Sequence, residues 1–460
     1  MIRLVLLSLG LLAVSPWLRA AELADLLTER LKAVVAVEFT VQTELERRPV
    51  TVFGTVVDDQ GTVVLPGTAI APGQAPDELK EFKAYRPESD EEYGATYLGQ
   101  DALTGWYFVR VEQRMRPHLV PITRFTAAKA GPALGEELWG IGLRNKDEDF
   151  APYLLSSRTA IVTRLPNRTA ICAQEVASPG LPVFNRAGEF AGLALNSFGQ
   201  NFLLFSPRQH GAPILLVNVE ESSVVLLNDE VLPNLGRVPA TVTGRPIAWI
   251  GIYGLQPVDP EVAKFLKLDR ASGVVLSDIL AGSPADQAGL QDRDIVLAVN
   301  GEALPRLRPD RVVVNHFGQE VLKRRPGDVL KLTVLRGTER REVEVKLGDE
   351  PKLVREAERR YFDRLGFTVR EFLVFDRIGH RAQPGETGGG VVHLLKPNGA
   401  AATAGLRPDD WIREIDGAPV ADYAETVAKL SAIDREPGRG EFVLLVRRGG
   451  ETQVLRVKLN

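Results

Sequence analysis

From Ala24 to about Pro239 the apolar residues fall in many short β-rich runs separated by Gly, Pro and Asn, after one amphipathic stretch, Leu23 to Val35. Short runs at this spacing predict a barrel-type β domain. Val56 to Leu65 reads as a hairpin turning at Gln60-Gly61. The runs Gly135–Gly142, Thr159–Val162, Pro182–Asn185 and Gly188–Leu193 follow it.

Beyond Pro239 the pattern is written twice. Ala281-Gly282-Ser283-Pro284-Ala285 leads through Gly289-Leu290 to Asp294-Ile295 and Asn300-Gly301. Pro397-Asn398-Gly399-Ala400-Ala401 leads through Gly405-Leu406 to Asp410-Trp411 and Asp416-Gly417. Gly289 and Gly301 recur as Gly405 and Gly417, each 116 positions on. A period this long marks a duplicated domain, because solenoid repeats span about 20–50 residues. Each copy predicts a turn, a short small-residue helix stopped by glycine, and a strand ending in a turn.

Before each copy a glycine sits among bulky apolar residues, in Trp249-Ile250-Gly251-Ile252 and in Leu365-Gly366-Phe367-Thr368. After each copy comes a closing hairpin with period-2 alternation. The first is Val329 to Leu335, a turn at Arg336-Gly337, then Arg341 to Leu347. The second is Phe442 to Val446, a turn at Gly449-Gly450, then Thr452 to Leu459. The two units resemble PDZ domains of the bacterial, protease-associated type. Together with the β-rich runs before them, they resemble the HtrA family of exported serine proteases. The fold this implies is mainly β: a trypsin-like double β-barrel over 22–239, then PDZ units over 244–349 and 352–460. The resemblance also implies trimers or larger assemblies.

The positions that would carry peptidase chemistry depart from the family. Its histidine follows the first hairpin in a Thr-Asn-x-His-Val context, and Thr68 stands there in this chain. Its aspartate opens an apolar strand four residues after another aspartate. Counting from Asp101 puts Gly105 in that place, before the strand Trp106 to Val111. The nucleophile loop, counted back from Pro182-Val183, reads Ala177-Ser178-Pro179-Gly180-Leu181, with Pro179 at the serine position. A serine needs an adjacent base, and the base needs an orienting group. Threonine cannot accept the proton, and proline also lacks the N–H that an oxyanion site requires. A shifted reading makes Ser178 the fallback nucleophile. His118 and His210, the two histidines of this domain, both lie in polar, loop-like contexts.

Charge and composition narrow the class further. With 460 residues, 44% of them hydrophobic, the chain has core material for three domains of about 150 residues. A net charge of −4 without a polybasic run excludes an electrostatic footprint for nucleic acid. Met1 to Ala20 reads as a secretory signal: Arg3, the apolar run Leu4 to Val14, then Pro16 and Ala20. That run is too short for a membrane helix, which takes about 20 residues, so no permanent anchor is expected and the location is periplasmic or extracellular. Loss of Arg3 and Arg19 would take the charge from −4 to −6.

Several smaller features read as structure. Cys172, the single cysteine, lies in an apolar run and reads as a buried hydrophobe. Glu88 to Glu92 reads as a solvated acidic loop, and Asn167-Arg168-Thr169 as a chance sequon. Gly385 to Gly390 reads as a loop, because it lacks the Gly-Lys-Ser/Thr ending of a phosphate loop. No cofactor is expected, and no cluster has metal-ligand spacing.

In a PDZ unit, N–H groups of the glycine loop converge on a carboxylate, and an extended peptide adds to the strand that follows. Trp249, Ile250, Gly251 and Ile252, and Leu365, Gly366, Phe367 and Thr368, are therefore the expected peptide-binding residues. Ile252 and Phe367 would line the pocket for the last side chain, and helices over 310–322 and 422–433 would form the far walls. Arg364 replaces the first glycine of the Gly-Leu-Gly-Phe pattern. It offers either a bond to the carboxylate or a solvent-facing position, and the sequence leaves both open.

Three classes of function fit. The preferred one is an inactive HtrA-like protein that holds C-terminal peptides or unfolded envelope proteins as chaperone, adaptor or scaffold. The second is an active endopeptidase with a rearranged triad. The third is a pseudo-subunit that regulates an active homologue.

Overall fold

The computed structural model describes residues 16–71, 73–127, 131–163, 167–198, 202–205, 213–216, 222–266, 268, 272–307, 310–383 and 386–459. Most of the signal-like stretch, His210 and Gly385 lie outside these residues.

Helix α1 (Pro16–Leu31) leads into six strands that close into a barrel: β1 (Val34–Gln42), β2 (Arg47–Val56), β3 (Thr62–Leu65), β4 (Leu79–Tyr85), β5 (Tyr93–Gln100) and β6 (Tyr107–Val111). The amphipathic stretch expected to run to Val35 stops as a helix at Leu31, because Val34 and Val35 already belong to β1. Their β-branched run is buried on both faces. Val35, Val37, Phe39 and Val41 fill the barrel interior, whereas Val34 and Ala36 join a second core shared with the next barrel.

That next barrel comprises β7 (Glu137–Leu143), β8 (Pro152–Thr163), β9 (Thr169–Cys172), β10 (Pro182–Phe184), β11 (Phe190–Phe198) and, after the hairpin β12 (Phe202–Phe205) and β13 (Pro213–Leu216), β14 (Ser222–Leu227). The ring orders β1-β2-β3-β6-β5-β4 and β7-β8-β9-β14-β11-β10 are the same path, so the double barrel is itself a repeat. A short helix, α2 (Asn228–Val231), closes the second barrel.

The first PDZ unit holds β15 (Ala248–Trp249), β16 (Ile252–Pro257), α3 (Pro260–Phe265), β17 (Val274–Ile279), α4 (Pro284–Gln287), β18 (Ile295–Val299), β19 (Glu302–Ala303), α5 (Val312–Leu322), β20 (Val329–Arg336), β21 (Glu339–Lys346) and β22 (Gly348–Asp349). The second holds β23 (Arg359–Phe362), β24 (Phe367–Glu371), α6 (Asp376–Gly379), β25 (Gly390–Leu395), α7 (Ala400–Thr403), β26 (Trp411–Ile415), β27 (Ala418–Pro419), α8 (Tyr423–Asp434), β28 (Glu441–Arg448) and β29 (Glu451–Lys458).

The duplicated motif has one physical purpose in both units. Ser283 caps α4 by accepting from the Asp286 N–H, and Gly289 ends it at φ +77°. Asp294, 1% exposed, then takes both ends of the Arg336 guanidinium at 2.8 and 2.7 Å, and Arg336 also donates to the Gly289 carbonyl at 2.7 Å. Asp410 and Arg448 repeat the clamp at 2.7 and 2.7 Å, with Arg448 donating to the Gly405 carbonyl at 2.8 Å. Each closing hairpin is thus fastened to the small-residue helix.

The second PDZ unit is latched to the first barrel. Arg359 pairs with Asp77 at 2.9 Å and Glu78 at 3.1 Å, and Arg355 donates to the Gln100 side chain at 2.6 Å. Arg245, in the segment before β15, pairs with Glu356 at 2.6 Å. Burial raises the Glu78 carboxyl above its ordinary range, and the Ala75 N–H and Arg359 pull the other way.

Candidate functional site

The structure brings the three loops of the expected peptidase positions together at the seam between the barrels. Thr68 is exposed in the turn after β3, where the Ala69 N–H returns to Pro66. Gly105, at φ +71°, precedes β6, and a Cβ on Gly67 would lie 3.0 Å from the Gly105 carbonyl oxygen. Gly180 touches the same turn. A Cβ there would meet Phe53 O at 2.5 Å and Pro66 Cδ at 2.6 Å, at a φ of +86°, so only glycine fits. Its carbonyl accepts from the Thr55 hydroxyl at 2.8 Å.

Ser178 is buried, and the N–H groups around it are taken: Ser178 donates to Ile141 O at 3.2 Å, Gly180 to Ala194 O at 2.8 Å and Leu181 to Ser178 O at 3.0 Å. Pro179 has none to give. A void lined by Pro66, Trp106 and Gly180 holds about 10 Å³, the threshold for a single water. Asp101, the nearby carboxylate, is bound by Arg237 Nε at 3.0 Å and by the N–H and hydroxyl of Thr104 at 2.9 and 2.8 Å. It shapes the loop that presents Gly105.

His118 is exposed in the turn Arg116–His118, and among the described residues no hydrogen bond joins it to the 177–181 loop. Cys172 is fully buried, and desolvation pushes its thiol up to about 11, which leaves it unreactive. Among the described residues no group of His, Cys, Asp and Glu can hold a metal ion, and no helix is long and apolar enough to cross a membrane.

The two PDZ loops, alike in sequence, are built differently. In the first, Gly251 has φ +82°, and a Cβ there would lie 2.2 Å from Ser283 Cβ. The carbonyls of Ile250 and Gly251 accept from Ala285 and Leu280, whereas their own N–H groups have no described acceptor. Ile252 opens β16, which among the described residues pairs only with β17, so its other edge is open for an added strand, with α5 packed against the same strand. Trp249 is half-buried beside the loop.

In the second unit the expectation of an open groove is corrected. β24 pairs with β25 on one side and with β23 on the other, in the register Arg359↔Arg370 to Phe362↔Phe367. An added strand would have to take the place that β23 fills. The Gly366 N–H is used within this hairpin, donating to Phe362 O at 2.8 Å, and Leu365, Phe367 and Thr368 are completely buried. Phe367 is a core residue packed on Phe362 rather than the wall of a ligand pocket. Arg364 caps the end of α8, donating to the carbonyls of Ile433 at 2.9 Å, Glu436 at 2.6 Å and Arg439, so neither position left open by the sequence is the one it takes. The signal was present in the sequence. Two strand-like runs separated by only four residues, Asp363 to Gly366, are a hairpin pattern.

Comparison with known proteins matches this architecture. PDZ-domain family models cover residues 252–347 and 391–448. A probable periplasmic serine endoprotease DegP-like of Ectopseudomonas mendocina (strain ymp) is 27% identical over 288 residues, covering 61% of this chain and 54% of that protein. One of the same description from Halomonas elongata is 32% identical over 261 residues, covering 51% of this chain and 50% of that protein. The chain is similar to DegP-like serine endoproteases and carries two PDZ domains.

The chain spans about half the length of the curated relatives it matches. A solved structure described as the HtrA-type protease AlgW with decapeptide superposes with a TM-score of 0.51 at 14% identity, covering 72% of this chain and 99% of that one. That likeness is one of fold: a double barrel followed by PDZ-like sheets.

Proposed function

We propose that this protein is an exported, HtrA-like binding protein without peptidase chemistry, which holds polypeptide ends in its first PDZ unit as chaperone, adaptor or scaffold in the cell envelope. The observation that carries the reading is the barrel seam. The turn bearing Thr68, the loop bearing Gly105 and the loop bearing Pro179 and Gly180 converge there, and none of these residues supplies a base, an orienting carboxylate or a nucleophile. Loss of one oxyanion donor alone costs about 3 kcal/mol of barrier, and here the loop N–H groups are bonded elsewhere. Binding rests on the first unit, where two loop N–H groups without described acceptors stand beside an open strand edge. The relatives' description as periplasmic supports the same compartment.

The test is incubation of the purified chain with a fluorophosphonate serine probe and with an unfolded casein substrate. No labelling and no cleavage are expected, and Thr68→His alone leaves both at background because the imidazole would have no orienting carboxylate and no nucleophile. Labelling of Ser178 that disappears in Ser178→Ala would overturn the reading in favour of a rearranged triad.

A further inference from the structure

The largest cleft among the described pockets lies away from both the barrel seam and the first PDZ groove. It opens between β4 and β5 of the first barrel and the β23–α8 side of the second PDZ unit, with a volume of about 1110 Å³. Pockets for small molecules run to about 1,000 Å³ at most, so this one has room for a length of polymer. We propose that it binds an internal, extended segment of another polypeptide, rich in neutral apolar side chains, by strand addition to the free edge of β23.

The edge comes first. Among the described residues β23 ends its sheet and pairs only with β24. Glu358 O accepts from Glu371 N at 2.9 Å and Phe362 O accepts from Gly366 N at 2.8 Å, which puts the ladder bonds on alternate residues. The main-chain groups of Arg359 and Tyr361 therefore point away from β24, the direction in which a further strand pairs. By filling the groove of its own unit, β23 displaces the acceptor edge outward by one strand.

The walls select apolar side chains. Phe82 is stacked between Phe39 at 5.0 Å and Tyr97 at 5.5 Å, Tyr423 and Val427 face the cleft from α8, and Val242 at its rim is 47% exposed. Charge argues for a neutral occupant. Asp77, Glu81 and Glu356 are paired with arginines, and Arg355 is held by Gln100 and by the Thr243 carbonyl at 3.0 Å. No field of one sign is left to draw in nucleic acid or a lipid headgroup. The occupant is an internal segment rather than a chain end, because the Gly366 N–H that would meet a carboxylate is already bonded within the β23–β24 hairpin.

The test uses the full chain and a fluorescein-labelled, C-amidated heptapeptide of alternating valine and threonine with a central phenylalanine, titrated by anisotropy. Saturable binding is expected. It should weaken at least tenfold when alternate peptide amides are N-methylated, and at least tenfold in Val427→Glu and in Phe82→Ala. Gly251→Val, which crowds the first PDZ loop, should leave it unchanged. The proposal is overturned by absence of saturable binding, by equal affinity for the N-methylated peptide, or by loss in Gly251→Val with Val427→Glu unaffected. The N-methylated peptide needs no variant, so a misfolded mutant cannot mask the answer, and the result is independent of whether the first unit binds chain ends.

Discussion

The two PDZ units share a motif in register and a buried Asp–Arg clamp, yet among the described residues only in the first does the strand after the glycine loop keep a free edge. In the first, the residues before the glycine loop are drawn away to pair with the end of the unit, Ala248 and Trp249 against Asp349 and Gly348, so β16 keeps a free edge. In the second, the equivalent run is a four-residue strand that folds back on β24 and closes it. The motif thus builds the scaffold, while the few residues upstream of it decide whether the scaffold has a groove. Two units that look like duplicates in sequence need not be duplicates in function.

The largest effect should come from breaking what the units share. Asp294→Ala and Asp410→Ala each leave an arginine without its carboxylate and orphan a backbone N–H, that of Gln291 or Arg407. Each is expected to lower stability by about 3 kcal/mol, read as an equal fall in urea midpoint for the two units expressed separately. A loss in one unit only would show that the clamps are not equivalent. A smaller effect, about 1–2 kcal/mol, is expected for Arg364→Ala, which uncaps α8 in the second unit. If Arg364 instead served a ligand, stability would be unchanged and peptide binding would fall.

Acid should separate the units further. Burial lowers the pKa of both His380 and His393 in the second unit and of His316 alone in the first. A histidine whose folded pKa lies below its unfolded value of about 6.5 takes up its proton more readily in the unfolded chain. Its contribution is therefore fully present above pH 6.5 and is lost as the pH falls below it. Thermal unfolding of the second unit between pH 7.5 and 5 should show the steeper decline, reduced in His380→Phe. An equal decline in both units, or no change in that variant, would remove the histidines as the cause.

Much of this was legible in the sequence for physical reasons. The barrels announced themselves because strands that bury one or both faces must alternate or run apolar, as β1 does. The duplicated motif was visible because a glycine at positive φ and a buried acid tolerate few replacements, as Gly289 and Asp294 show. The loops holding Thr68, Gly105 and Pro179 lie side by side, Gly67 against Gly105 and Gly180 against Pro66, because short framework turns fix their place in the chain. The closed groove of the second unit was not foreseen. Leu365-Gly366-Phe367 satisfies the local loop pattern and at the same time sits in the hairpin pattern that joins Arg359 to Phe362 with the strand after it, and which of the two governs is a pairing choice made in the fold. The clefts and latches between domains were equally hidden, because Arg355 and Arg359 meet Gln100 and Glu78 across more than half the chain.

The central claim, that recognition of chain ends belongs to the first PDZ unit alone, is tested most directly by calorimetric titration of the full chain with one apolar peptide carrying either a free C-terminal carboxylate or an amide. The free acid should bind at least tenfold tighter, Gly251→Val should abolish the difference, and Gly366→Val, strained by a φ of +75° although the nearest atom to an added Cβ is 3.5 Å away, should preserve it as long as the variant stays folded. Equal binding of the two peptides, or a preference that survives Gly251→Val and disappears in a folded Gly366→Val, would contradict the claim.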